Sequence, residues 1–393
     1  MRLRTIWSSQ KTLCALAIVT AAVTLWSQKG AASWLSEAQA IAPGVEFYTS
    51  IDTSITEPAE ASAMYLLKLD PSKVTLSSAH AKDEIMGVET VDAIAARHHA
   101  VAAVNAGFFN VKNGDPASVL KMAGEFVSDA TLPRGVVAIG PAASGAQTLT
   151  FDQISAKQEL RFTANGTDWT VPVDGVDTTR ARGKLMLYTP SYHADTDTAP
   201  TGTEIVASGT PLKVRDVRRA AGHTPIPRDG VVLSFGGVEL PPSLAALKTG
   251  VEITLLTNWK SVNGVPPSIF ESARDVVNGA GLLRRGGTRI TDWSVEGLRS
   301  DTFLDVRHPR TVIGTDDHGS VWLVAIDGRQ PGYAGGMDFK ELQRLSDRLK
   351  LRDALNLDGG GSVTMVVKNR IVNKPSDAQG PRLVSDAILV TVR

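Results

Sequence analysis

The chain has 393 residues, with 41 basic and 41 acidic side chains that cancel, and 42% of it is hydrophobic. This length and apolar content suit a folded protein of one large or two moderate domains with its own core. Electroneutrality excludes a partner held by bulk charge, so no nucleic acid or anionic membrane surface is expected, and any anion must be recognised by a local cluster.

At the N-terminus Arg2, Arg4 and Lys11 precede an apolar run over residues 13–26, and Ala38-Gln39-Ala40 follows. A basic start, an apolar stretch and a small-x-small end predict a secretory signal peptide over residues 1–40. The alternative is an uncleaved anchor, but the run is short for a span of about 20 residues, so no stable membrane span is expected after cleavage. Cys14, the sole cysteine, lies inside this segment. The mature chain would carry no thiol, which excludes disulfides, thiolate metal sites and cysteine nucleophiles. Export without disulfides points to a bacterial periplasm, cell surface or extracellular space.

Residues 45–51, 63–69 and 74–77 read as strands separated by turn signals such as Asp70-Pro71. Residues 90–98 read as a short helix with Thr90 as N-cap and Val91, Ile94 and Ala95 on one face. A buried run, 100–104, then ends in Asn105-Ala106-Gly107-Phe108-Phe109-Asn110, and strands are expected at 136–139 and 148–151. Residues 163–227 read as loop-rich, with strands only at 185–188 and 204–207. Further strands are expected at 231–235 and 252–257, and residues 275–283 form a glycine-interrupted apolar run.

The last hundred residues are the best patterned. Strands at 310–315 and 321–326 flank the turn Asp316-Asp317-His318-Gly319. A helix over 338–349 has Asp338 as N-cap and Leu342, Leu345 and Leu349 on its buried face. Strands follow at 354–357, 363–367, 371–372 and 387–392. This pattern predicts an α+β fold, a strand-rich mixed sheet with a few packed helices. No Pro-rich linker divides it, so residues 41–393 form a single catalytic unit: a β-rich elaboration over 41–99 and the catalytic domain over 100–393.

Two strands deliver the same kind of turn: 321–326 leads into Asp327-Gly328-Arg329, and 354–357 into Asp358-Gly359-Gly360-Gly361-Ser362. If the strands are neighbours joined through the helix, both carboxylates enter one cleft, and two carboxylates flanking a glycosidic bond can hydrolyse it. Taken alone, each Asp-Gly is a common turn. Glycines at 359, 360 and 361 would let an anion meet peptide N–H groups directly. Arg310, Arg329 and Arg382 sit near strand ends, where guanidinium forks suit phosphate, although surface ion pairs are their commoner fate. Asn105 could bond a sugar hydroxyl or only cap its turn, and Phe108 and Phe109 suit a core as well as a sugar platform. His308 is a weaker acid/base candidate. No His-Glu-x-x-His, Gly-x-Ser-x-Gly or P-loop lysine is present, so no metal site and no cofactor is expected, with a divalent cation left open at Asp316-Asp317.

Asn105-Ala106-Gly107-Phe108-Phe109, Arg310-Thr311, Asp327-Gly328-Arg329, Asn356 to Ser362 and Val384-Ser385-Asp386-Ala387-Ile388, in this order, resemble the phosphodiester glycosidase family. Ala106 stands where relatives often carry a second glycine. The resemblance implies hydrolysis of the C–O bond of a sugar-1-phosphodiester, in a sugar-phosphate-containing glycan or envelope polymer. It implies Asp327 and Asp358 as the acid/base pair, Arg310, Arg329, Arg382 and the glycine turn as the phosphate pocket, and Asn105 and Ser362 as positioning groups. The alternatives are a non-catalytic envelope glycan-binding or polymer-assembly protein, and a metal-dependent phosphodiesterase breaking P–O with Asp316, Asp317, Asp327 or Asp358 as ligands.

Overall fold

The computed structural model describes residues 34–142 and 145–393. The chain divides into Met1–Ser36 and Glu37–Arg393, and every element below lies in the second unit. The basic and apolar parts of the expected signal peptide lie outside the described residues. Its expected cut, after Ala40, falls within the short strand Gln39–Ala42, which pairs antiparallel with Val45–Asp52.

Strands dominate, as the α+β pattern predicts, and among the described residues they form four sheets of eight, seven, five and five strands. In the eight-stranded sheet, Val45–Asp52 and Ser62–Leu69 lead to Val321–Ile326, Arg310–Asp316 and Leu351–Asn356. One five-stranded sheet places Ala102–Asn105 between Met365–Val367 and Asp386–Val392, with Val74–His80 on the far side of the last. Segment 41–99 is therefore woven into the same sheets as the C-terminal strands.

Residues 163–227 hold more strand than their punctuation predicts. Thr167–Pro172 and Lys213–Ala221 are strands there whose polar, mostly exposed faces hide the alternation that marks a half-buried strand. Leu149–Ala164 runs for 16 residues and exchanges partners along its length.

The two largest apolar cores among the described residues lie on either side of one strand pair. One gathers Leu67, Leu76, Val104, Ile313, Leu323, Leu355 and Ile388, and the other Ile154, Leu160, Leu187, Ile205, Leu233, Trp259 and Phe270. The paired strands Ala130–Ile139 and Asp275–Asn278 separate them, and strand alternation serves both sides: Val137, Ile139 and Val277 enter the first core, Val136, Ala138 and Val276 the second.

The helix Phe339–Arg348 starts in a full capping box. The Asp338 carboxylate accepts from the Glu341 N–H at 2.8 Å, and the Glu341 carboxylate accepts from the Asp338 N–H at 2.9 Å. Thr90 occupies the N-cap position of Val91–Arg97, but its side chain caps nothing.

Candidate active site

Arg310–Asp316 lies between Val321–Ile326 and Leu351–Asn356 and is antiparallel to both. The outer two strands are not neighbours, contrary to the simplest expectation. They nevertheless run in the same direction, so the Asp327 and Asp358 turns leave at the same edge, with backbones two strand spacings or about 10 Å apart. Pro309, at the head of the middle strand, touches both turns. Its carbonyl accepts from the Gly360 N–H at 2.9 Å, and a Cβ on Gly328 would lie 2.8 Å from its nitrogen.

Asp358 is half-buried. Its N–H donates to the Ala106 carbonyl at 2.9 Å, its own carbonyl accepts from Asn105 Nδ2 at 2.7 Å, and its Oδ1 accepts from the Gly359 N–H at 2.8 Å. Burial pushes its carboxyl up to about 6, against the opposing pull of Ser362, the Gly359 amide, Arg382 and Arg329. The Ser362 hydroxyl beside it is fully buried and close enough to the Asp358 carboxylate to favour its ionised form.

The glycine turn proves to be shaped by arginines more than by open amides. The N–H groups of Gly359, Gly360 and Ser362 fold back onto Asp358, Pro309 and Gly359, which corrects the expectation of a run of free donors. At Gly360, with φ +61°, a Cβ would meet Arg329 Nη1 at 3.0 Å. At Gly361 it would strike Arg382 Nη2 and Asp377 Oδ1. The glycines thus let two guanidinium groups lie against the turn on either side of Asp358. Arg329 is exposed, bonds His308 Nδ1 at 3.0 Å and has no carboxylate partner among the described residues. Since that nitrogen accepts and His308 Nε2 faces the Thr302 carbonyl at 3.2 Å, the ring is neutral, and burial lowers its pKa. Arg382 is gripped by Asp377 through Nε at 2.8 Å and Nη2 at 3.2 Å.

Three expected site residues are engaged elsewhere. Arg310 is 1% exposed and donates to the carbonyls of Met337, Phe303 and Val306, with its guanidinium stacked on Phe303 and Phe339. It pins the segment before its strand and does not line the anion site. Asn105 binds Thr311 Oγ1 and the Thr364 N–H through Oδ1, in addition to the Asp358 carbonyl, so it holds the turn and faces no ligand. Asp327 is likewise saturated: Oδ1 accepts from Asn373 Nδ2 at 3.0 Å, and Oδ2 accepts from the Tyr333 hydroxyl at 3.1 Å and the Lys374 N–H at 3.0 Å. Burial raises its pKa despite these bonds. Asp316 accepts from the His318 and Ser320 amides and from Trp322 Nε1, the pattern of a braced turn.

The sequence reading quoted Asp386 within a family motif but gave it no role in the site. Asp386 is fully buried, accepts from the Gly107 N–H at 2.9 Å, and is pushed up to about 7, chiefly by burial and further by the nearby charge of Asp358. A lone carboxylate opening an otherwise apolar strand was the available signal. Asn278, likewise given no role, accepts from the Phe108 N–H at 2.9 Å.

A carboxyl whose pKa burial raises towards neutrality, beside two guanidinium groups, defines the class: an acid–base site suited to a hydrolase for an anionic substrate. Residues 201–391, which include Asp327, Arg329, Asp358 to Ser362, Arg382 and Asp386, match the phosphodiester glycosidase family, and the chain is a relative of that family. The N-acetylglucosamine-1-phosphodiester alpha-N-acetylglucosaminidase of Mus musculus is 32% identical over 122 residues, which are 28% of this chain and 23% of that protein. The chain thus matches about a quarter of the length of this relative. A crystal structure from Synechocystis shares the fold at TM-score 0.72 with 22% identity, over 89% of this chain and 62% of that one. So does a Burkholderia pseudomallei protein described as exported, at TM-score 0.68 and 22% identity, over 84% and 74% of the two chains.

Proposed function

We propose that this protein is an exported hydrolase that cleaves the glycosidic C–O bond of a sugar-1-phosphodiester in a glycan or envelope polymer. The observation that carries this reading is Arg329, a cation without a carboxylate partner, laid with Arg382 against the glycine turn beside Asp358. Arg329 and Arg382 would hold the phosphate, helped by the amide of Gly361. Asp358, ionised above its pKa of about 6, takes a proton from the attacking water, whose oxygen bonds to the anomeric carbon. The C–O electrons leave with the phosphate, already acidic enough to depart without a proton, and free sugar and a phosphomonoester result.

In this reading Asp386 holds a second proton behind Asp358, while Asp327 and Arg310 brace the loops around it. The match to the family and the likeness to an exported protein support the assignment. No helix among the described residues is long and apolar enough to cross a membrane.

The test is hydrolysis of a sugar-1-phosphodiester in isotope-labelled water. Label in the sugar supports C–O cleavage. Label in the phosphate, with chelator-sensitive release of sugar phosphate, would assign a phosphodiesterase, and binding without turnover would assign a binding protein.

A further inference from the structure

Beside the Asp358 centre lies a cavity of about 230 Å³ lined by Phe108, Ser118, Arg134, Asn278, Leu298 and Phe303, with Ala117 at its exposed rim. Its walls are mostly apolar, and Phe108 and Phe303 pack edge to face in that lining, ring centres 6.0 Å apart. Two of its polar atoms are anomalous. Asn278 Nδ2 and Ser118 Oγ are buried in residues 0% and 3% exposed, and neither has a hydrogen-bond partner. Burying such groups unpaired is unfavourable, so they mark a place where something polar belongs.

The location limits what that is. Asn278 holds the Phe108 amide, and a Cβ on Gly107 would lie 2.9 Å from Asn278 Nδ2 and 3.0 Å from Asp386 Oδ2. Beside Phe108, Phe303 stacks on Arg310, whose side chain borders Gly359. The cavity is thus bounded by the structures that frame the reacting carboxylate. A dry cavity of about 150 Å³ admits a benzene ring, so this one admits a six-membered ring with its substituents and not two linked rings.

Resting on the activity proposed above, we infer that this cavity seats a single pyranose ring, the sugar attached to the phosphate. Asn278 Nδ2 and Ser118 Oγ bond its hydroxyls, and Phe108 and Phe303 cover its apolar face. A cavity with room for one ring selects substrates in which the phosphate-linked sugar carries no further sugar.

Two readings separate this inference from the activity itself. In calorimetry the free monosaccharide product and inorganic phosphate are titrated separately into the full chain and into Ser118→Ala, Asn278→Ala and Ala117→Phe. The last, at the exposed rim, narrows the cavity without touching its floor. Thermal melting verifies that each variant folds. The expected result is sugar binding weakened about tenfold by Ser118→Ala and abolished by Ala117→Phe, with phosphate binding unchanged. Sugar binding unchanged in folded Ala117→Phe would overturn the subsite and leave the anion site and the reaction standing. Sugar binding lost in that variant, with no turnover by the wild type, would keep the subsite and sink the reaction. Where turnover is present, a disaccharide-1-phosphodiester hydrolysed as fast as the monosaccharide compound would overturn the one-ring limit.

Discussion

At the scale of single residues, the centre depends on a carboxyl that two arginines fail to pull down. Asp358→Asn keeps the bond from the Gly359 amide but removes the proton acceptor, so kcat is expected to fall about 10²–10⁴-fold with no loss of melting temperature near pH 7. Arg329→Ala is expected to raise KM for a phosphodiester more than Arg382→Ala raises binding loss through its partner Asp377, because Arg329 has no other anion to serve. Steady-state kinetics on both variants measure the contrast. Asp327→Asn is expected to act on stability more than on chemistry, since both its oxygens bind protein groups. Full loss of kcat in a stably folded Asp327→Asn would restore it to the acid/base pair.

The same carboxyls make stability depend on pH. Asp386 rises from 3.8 to about 7 and Asp358 from 3.8 to about 6, so the native state binds more protons than the unfolded chain between those limits. The contribution of these two carboxyls to stability therefore falls as pH rises from about 4 to about 7 and levels off above. Asp386→Asn removes the larger part, and its melting temperature is expected to exceed that of the wild type near pH 8 and to lose that advantage near pH 4. The two groups interact, so a titration would report values belonging to the pair.

At the scale of elements, the strands of the C-terminal hundred residues and the Asp338 cap were legible because alternation, caps and turn residues agree there. Removing the cap with Asp338→Ala is expected to cost about 1 kcal/mol, measured by denaturant unfolding. Gly281→Ala is expected to cost more: at φ +94° an added Cβ would collide with the Phe339 ring, part of the wall under the same helix. The glycine turn was legible as a site, but its reason was not. Sequence places three glycines beside Asp358, whereas only the fold brings Arg329 and Arg382 against them from 29 residues before and 24 after Asp358. Arg310 was misread for the opposite reason: a strand-end arginine looks available until its three carbonyl acceptors are in view. The roles of Asn278 and Asp386 were hidden because a polar residue at the end of an apolar strand stands out in the sequence without showing what it faces.

At the scale of the whole molecule, the two cores share the wall made by Ala130–Ile139 and Asp275–Asn278. Val321–Ile326 pairs with Ser62–Leu69, and Asp386–Val392 pairs with both Val74–His80 and Ala102–Asn105. Each of these contacts joins a strand inside residues 201–391 to one outside them. The stretch that carries the family's signature is therefore not an independently folding piece: cut out, it would expose unpaired edges on all four sheets and half of each core. A fragment of residues 201–391 is expected to aggregate or to melt without a cooperative transition, whereas Glu37–Arg393 melts in one. What can be recognised in this protein and what can be inherited intact are consequently different lengths of chain, and a gene fusion or truncation drawn at the boundaries of recognition would strip partner strands from the sheets that carry Asp358 and Asp386.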